Sequence, residues 1–329
     1  MTGKVFFLFP GQGAQYSGMA LDFLSSGSAA VKSLFKSASE IFGKDAEALL
    51  ASEADALKRT EVSQPAITLT NLAAAAYLAE KGINPAGCAG FSLGEYAALA
   101  IAGVISTEDC LSLVNQRGKA MQAVADEMEA KGSAADGKNN APGMAAVMGL
   151  APEKVEALIA EWKAAGNVAV QELYAANINS PKQTVIGGSA QALTEAEALF
   201  TAAGARRYMR LQVNCPFHTP LLEGAAAQFQ PFLAQVQFND PKIPVFSNVS
   251  GKQVTSGEEA KKMALAQITS PVRWVDELAS IAALGGIDSL LEVGPGKVLQ
   301  GLWKDSGSDL PCHLAGTVED VAKLISEEV

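Results

Sequence analysis

The sequence predicts an α/β fold with a mostly parallel sheet, and three observations carry that prediction. Short apolar runs alternate with segments of helical periodicity. A Gly-Phe-Ser-Leu-Gly turn at 90–94 has the form of a strand-to-helix elbow. The stretch 143–213 has its own strand-helix-strand-strand-helix-strand order, the ferredoxin-like arrangement. In chain order, Val5–Phe9 is apolar throughout and closed by Pro10-Gly11, as expected of a buried strand. No charged leader or cleavage site precedes it, so no signal peptide is expected. Val31, Leu34, Phe35, Ala38, Ile41 and Phe42 recur at helical spacing and form one apolar face. Ser63-Gln64-Pro65 reads as the start of the next helix, which runs through the alanine-rich stretch 72–78. Cys88-Ala89 ends a strand before the elbow, and 93–102 begins a helix. Ser106 and Asp109 form a capping-box-like pair that opens a helix carrying Arg117.

Residues 131–142 are small and polar and read as an exposed, mobile loop. A strand at 144–150, a helix at 152–162, strands at 175–178 and 184–186, a helix at 190–203 and a strand at 208–213 follow. They define a small subdomain at 143–213, inserted in a larger α/β body made of 1–142 and 214–329. Two late strands are expected at 243–246 and 289–293.

Composition narrows the function classes. Hydrophobic residues make up 49% and charged residues 18% of the 329, enough for one large core or two smaller ones. No apolar run is long enough for a transmembrane helix, so no membrane association is expected. A net charge of −10 disfavours nucleic acid as a partner. The four cysteines, Cys88, Cys110, Cys215 and Cys312, lack metal spacing and are too sparse for a disulfide framework. They point to a reducing compartment, the cytoplasm or the interior of an organelle. No metal and no cofactor is expected.

Ser92 at the centre of the elbow is a candidate nucleophile. Such a turn pushes the side chain out of the backbone path and places the Leu93 N–H at a helix N-terminus, suited to an oxyanion. A serine nucleophile needs a base, and the chain has only His218 and His313. With His313, Asp288 or Glu292 supplies an acid in the usual hydrolase order, giving a serine esterase or thioesterase. With His218, the flanking Cys215-Pro216-Phe217-His218-Thr219-Pro220 offers no acid. A chance match to the elbow motif in a chain of 30 glycines stays open, as does the choice of histidine.

Seven segments together resemble the malonyl-CoA:acyl-carrier-protein transacylases. They are Phe9-Pro10-Gly11-Gln12-Gly13-Ala14-Gln15, Gly90-Phe91-Ser92-Leu93-Gly94-Glu95-Tyr96, Gln116-Arg117-Gly118, Ala176-Asn177-Ile178-Asn179-Ser180-Pro181, Phe217-His218, Gln267 ahead of Ser270-Pro271-Val272-Arg273-Trp274, and Leu291-Glu292-Val293-Gly294-Pro295-Gly296. Type, order and spacing match over about residues 4–300. The resemblance implies a hydrolase-like parallel-sheet body with an inserted ferredoxin-like subdomain. It implies transfer of malonyl from malonyl-CoA to an acyl carrier protein in fatty acid synthesis, with a polyketide-pathway acyltransferase as the variant.

The resemblance also implies roles. Ser92 would carry the malonyl ester and His218 would be the base, oriented by a backbone carbonyl at Gln267 in place of an acid. Backbone N–H groups of Gln12 and Leu93 would form the oxyanion hole. Arg117, Asn179 and Phe217 would contact the substrate, Arg117 by pairing with the malonyl carboxylate. By position alone Arg117 would read as a surface helix arginine and Phe217 as a core aromatic. Phe91 stands where many bacterial members carry His, and is expected to point away from the site. The loop at 131–142 is longer than usual. An acidic carrier needs local positive charge on this acidic chain. Arg206, Arg207 and Arg210 are the candidate patch, with Lys182, Arg273 and Lys297 next. A charge-guarded strand edge explains the same arginines equally well. A hydrolase using Ser92 and His313 and a non-catalytic carrier-binding relative are the rival readings.

Overall fold

The computed structural model describes residues 3–136, 141–213 and 215–326, with the side chains of 132–136 outside that description. Among the described residues there are ten strands: β1 Val5–Phe9, β2 Pro85–Gly90, β3 Gly143–Met148, β4 Leu173–Ser180, β5 Gln183–Gly188, β6 Arg207–Arg210, β7 Phe246–Ser247, β8 Lys252–Gln253, β9 Ser289–Glu292 and β10 Cys312–Leu314. Four of them form a sheet in the order β10-β9-β1-β2, every pair parallel. All five residues of β1 are buried, which is why its sequence is apolar without alternation. Helices Ala29–Phe42, Thr60–Glu80, Gly94–Ile101 and Thr107–Asp136 cover one face. Trp274–Ala283 and Val298–Asp305 cover the other, around Phe6, Leu8 and Leu290.

A second sheet has the order β4-β5-β3-β6 and is antiparallel throughout. Helices Pro152–Ala164 and Ala190–Ala202 pack on one face against Ala145, Val147 and Ile186. The alternate residues Met144, Ala146 and Val185 face the other way, with Leu211, Val213 and Phe217 against them. Edge strand β4 is tied to the body through Val272, whose N–H donates to Ala176 O and whose carbonyl accepts from Ile178 N–H, each at 2.8 Å. Among the described residues no helix is long and apolar enough to cross a membrane.

Four sequence expectations need correction. The helix expected from Ser63 starts at Thr60, with Pro65 inside it. Its first turn is held from outside: Thr60 N–H donates to Gln122 Oε1 at 2.8 Å and its hydroxyl to Gly118 O at 2.7 Å, so no local cap is needed. The loop expected at 131–142 is helical to Asp136, because Glu129, Ala130 and Lys131 are good helix formers; 137–140 lie outside the described residues. The strand at 243–246 shrinks to one parallel bridge from Val245 to Cys88, after which Phe246–Ser247 turns into a hairpin. Strand β6 ends at Arg210, not 213, and residues 211–213 turn toward the cavity described next. The Ser106–Asp109 pair does cap its helix, with Asp109 N–H donating to Ser106 Oγ at 3.0 Å.

Candidate active site

Strand β2 ends at Gly90 and the helix Gly94–Ile101 begins four residues on. The chain reverses so tightly that a Cβ at Gly90 would collide with the backbone of Gly94, and one at Gly94 with the carbonyl of Phe9. Ser92 between them adopts φ 51°, a left-handed conformation that costs a non-glycine residue of order 1–2 kcal/mol. The strain is held by Asn248. Its Oδ1 accepts from Ser92 N–H at 2.6 Å and its Nδ2 donates to Gly90 O at 2.8 Å, so one amide clamps both arms of the turn.

The Ser92 Oγ lies 2.7 Å from His218 Nε2. His218 is also in the left-handed region, with φ 60°. Its Nδ1 lies 2.8 Å from the backbone carbonyl of Gln267. A carbonyl only accepts, so Nδ1 carries the proton and Nε2 offers its lone pair to the serine hydroxyl. Burial, and then the charge of Arg117, hold the imidazole down to about 4, against the smaller opposing pull of the Gln267 carbonyl. The ring is therefore neutral, a free base, at physiological pH.

Arg117 projects from the helix Thr107–Asp136 and is only 1% exposed. That burial excludes the surface-arginine reading. Its Nη1 donates to Gln64 Oε1 at 2.9 Å and its Nη2 to Gln267 Oε1 at 3.0 Å. Both acceptors are neutral amides. Its Nε has no partner among the described residues, and the guanidinium sits over the Tyr96 ring, 5.5 Å from the centroid. A buried cation held by amides and opening on a cavity is a ready receptor for a carboxylate.

Gln267 touches every part of this arrangement. Its carbonyl holds the imidazole and its Oε1 the guanidinium. Its Nε2 lies 2.6 Å from Glu95 Oε2, 3.0 Å from Ser92 O and 3.1 Å from Asn248 Oδ1. Behind it Glu95 Oε2 also accepts from Asn248 N–H at 3.0 Å, and Asn248 Nδ2 donates to Glu277 at 2.7 Å. Burial raises both carboxyls: Glu95 to about 7, and Glu277, with Glu95 as a like charge beside it, well above the usual range. Sequence reasoning missed Gln64, Asn248 and Glu277 as members of the site. Glu95 lay within a quoted motif but without a role.

Ser92, His218 and Arg117 open into a cavity of about 370 Å³ between the two sheets. Gln12, Asn179 and Phe217 also line it. Asn179 Nδ2 donates to Gln183 Oε1 at 3.0 Å, and its Oδ1 has no partner among the described residues. Leu93 is buried at the head of the elbow helix. Phe91, expected to point away, lines the same cavity: its ring packs edge-on against buried Trp274, centroids 5.3 Å apart, which leaves another side on the cavity wall.

His313 lies elsewhere. It is the middle residue of β10, paired with Leu291. The acids proposed with it are engaged: Asp288 Oδ2 accepts from Lys4 N–H at 2.7 Å, and Glu292 accepts from Leu299 and Gln300 N–H at the head of Val298–Asp305. Arg207 and Arg210 lie on edge strand β6 and Arg206 just before it, all exposed. Arg273 is bound to Asp276 and Glu156.

The sequence model of the acyl transferase domain matches residues 6–324. A malonyl CoA-acyl carrier protein transacylase of Haemophilus influenzae is 38% identical over 328 residues, covering 99% of this chain and 98% of that protein. The crystal structure of MCAT from Streptococcus pneumoniae superposes with a TM-score of 0.88 at 34% identity, covering 98% of this chain and 100% of that one. A malonyl-transacylase solved with a type II PKS acyl-carrier protein superposes with a TM-score of 0.86 at 32% identity, covering 99% of this chain and 100% of that one.

Proposed function

The chain belongs to the acyl transferase domain family, and on that premise we propose that it moves a malonyl group from malonyl-CoA to the phosphopantetheine thiol of an acyl carrier protein, supplying fatty acid synthesis. The observation that carries the reading is the juxtaposition in one cavity of Ser92 bonded to a neutral histidine and a buried arginine whose Nη1 and Nη2 donate to side-chain amides. The first asks for an acyl donor and the second for an acyl group that keeps a free carboxylate. An acetyl group would bring no carboxylate to the guanidinium and so would forgo a direct, charge-assisted hydrogen bond with it.

The reaction runs in two half-steps. Ser92 Oγ attacks the thioester carbonyl as its proton passes to His218 Nε2. The tetrahedral oxyanion faces the backbone N–H groups of Gln12 and Leu93. Their proximity is supported by Gly11: a Cβ there would collide with the Phe91 carbonyl and lie 3.5 Å from Leu93 N, so the turn after β1 sits on the elbow. Collapse expels the CoA thiolate, which takes the proton from His218 and leaves Ser92 as the malonyl ester. The carrier thiol then gives its proton to His218 and attacks that ester. Collapse of the second intermediate returns the proton to Ser92 Oγ. The Gln267 carbonyl holds the imidazole in its working tautomer throughout, the part a carboxylate plays in other triads. Asn179, with a free carbonyl oxygen in the wall, suits an amide N–H of the pantetheine arm, and Phe217 packs beside the acyl group.

The carrier docks at Arg206, Arg207 and Arg210. The support is placement: β6 is a sheet edge, and it leads directly into the cavity wall at Leu211, Gln212 and Val213. We read the parallel-sheet body, 1–142 and 214–329, as hydrolase-like, and 143–213 as an inserted ferredoxin-like subdomain, supported by the strand order of the second sheet. Four free thiols suit a reducing compartment, the cytoplasm or an organelle's interior. A polyketide-pathway carrier would be loaded by the same steps.

Incubation with malonyl-CoA, with and without holo-carrier, tests the assignment by mass spectrometry. The protein should gain one malonyl group on Ser92 and pass it to the carrier. Release of free malonate with the carrier unloaded would establish a hydrolase instead, and no acylation at all would establish a non-catalytic relative.

A further inference from the structure

Behind Ser92 the fold buries two carboxyls, Glu95 and Glu277, and one cation, Arg117, each almost wholly out of solvent. One of the two acids must stay neutral, since a buried anion without a countercharge costs far more than protonation. Glu277 is that acid: it is joined to Arg117 only through two successive amides, Asn248 and Gln267, and lies beside Glu95 as a like charge. Glu95 is the anion. It reaches Arg117 through one intervening amide, Arg117 Nη2 donating to Gln267 Oε1 and Gln267 Nε2 donating to Glu95 Oε2. The charges of the resting site then balance.

An acyl group that brings its own carboxylate to Arg117 upsets this balance by adding a second anion beside one cation. The groups that could absorb the change are few. Arg117 acts on Glu95 from the helix Thr107–Asp136, Glu277 from Trp274–Ala283, His218 lies across Gln267, and Tyr96 follows Glu95 in the chain, with Cys110 Sγ donating to the Tyr96 carbonyl. Burial holds Cys110 and Tyr96 in their neutral forms, and Glu277 already holds its proton. His218 must stay neutral to act as base. Glu95 remains. We propose that binding of a carboxylate-bearing acyl group at Arg117 draws a proton from solvent onto Glu95, so that the substrate carboxylate replaces Glu95 as the counterion of the guanidinium. This rests on the reading of Arg117 given above. Each negative charge that enters is matched by one proton, and no bond of the acyl transfer itself is altered. The Glu95 carboxyl is suited to the exchange. Burial drives it up to about 7 while the bonds from Asn248 and Gln267 and the charge of Arg117 pull it down, so just above neutrality it is largely ionised and able to take up a proton.

The proton count of Ser92 acylation tests this directly. Ester formation with CoA leaving as the thiol transfers no net proton. At about pH 7.5 in weak buffer with an indicator dye, malonyl-CoA should therefore take up a substantial fraction of one proton per acylated site beyond that seen with acetyl-CoA. The excess should fade below about pH 5.5, where Glu95 is already protonated. Glu95→Gln should abolish it. Equal counts for the two acyl groups, or an undiminished excess in folded Glu95→Gln, would overturn the proposal. Should that variant not fold, infrared difference spectra of the unaltered enzyme decide. Malonylation with carboxyl-labelled substrate should add an unlabelled protonated-carboxyl band, and its absence overturns the proposal equally. Arg117→Ala separates the two readings. Selective loss of malonyl over acetyl transfer without any excess proton in the parent enzyme would sink this inference alone. Loss of both transfers in parallel would sink the account of Arg117 on which it rests.

Discussion

The cavity has two unlike walls. The wall on the parallel sheet carries the hydrogen-bonded groups: Ser92, His218 and Arg117, with Gln267 behind them, are each held by short hydrogen bonds, and two of them sit in strained backbone conformations, beside apolar Phe91, Met121 and Leu302. The wall on the antiparallel sheet is mixed: Met144, Val185, Leu211 and Val213 present aliphatic side chains that make no directional bond, beside the amides of Asn177, Asn179, Gln183 and Gln212. Hydrogen bonds fix positions to tenths of an ångström, whereas apolar contacts fill space and tolerate exchange. On the proposed function, the hydrogen-bonded groups of the first wall set which reaction occurs, and the aliphatic groups of the second set which acyl chains fit.

Substitutions on each wall can break or sharpen that contrast. The largest effect is expected at the base. His218→Ala should slow malonylation of Ser92 by ~10²–10⁴-fold, the usual worth of a positioned base, while His313→Ala on β10 should leave the rate unchanged. Loss of activity with His313→Ala and its survival in His218→Ala would reverse the assignment. Arg117→Ala comes next, costing ~2–5 kcal/mol in kcat/KM for malonyl-CoA and sparing acetyl-CoA. On the other wall, Val185→Ala or Leu211→Ala should change malonyl transfer by less than about tenfold and admit bulkier acyl groups. A loss as deep as that of His218→Ala would erase the distinction between the walls.

Two smaller effects follow from the buried acids and base. With His218 held down to about 4, malonylation measured under single-turnover conditions should keep a working base well into the acid range, the limb due to histidine falling near 4 and not near 6.5. The Glu277 carboxyl is raised in the fold, so the native state keeps a proton that the unfolded chain gives up. Stability should therefore fall as pH rises above the unfolded carboxyl range. Glu277→Gln removes that slope, and its melting temperature relative to the parent should be higher at about pH 8 than at about pH 5. An identical difference at both values would mean that Glu277 is ionised.

The parts of the site that could be read in advance are those whose chemistry is written locally. The elbow needs glycines at fixed offsets, and a base must be one of two histidines. Asn248, Glu277 and Gln64 carry no such mark. Each is a single polar residue in an ordinary helix or turn, and its place in the network depends on partners 29 to 156 positions away. The α/β class and the parallel sheet were legible because apolar periodicity encodes which faces are buried. Element ends were less so. Thr60 is capped by Gln122 of another helix, and the helix at 107 runs on because nothing in 129–136 breaks it, although Gly132 and Ser133 suggested a loop.

The position of β1 bears on how the chain acquires this site. It is a central strand of the parallel sheet, flanked by β2 on one side and by β9 on the other, so Val5 pairs with Ser289. β1 thus waits for β9, which lies far along the chain. The sheet of β3 to β6 closes within 68 residues, from Gly143 to Arg210, and can form while synthesis continues. Until 289–292 emerge, the edge of β1 stays open to pairing with other chains, the exposure that chaperones shield. A nascent chain released before that point would display Ser92 and His218 without a completed sheet to hold them.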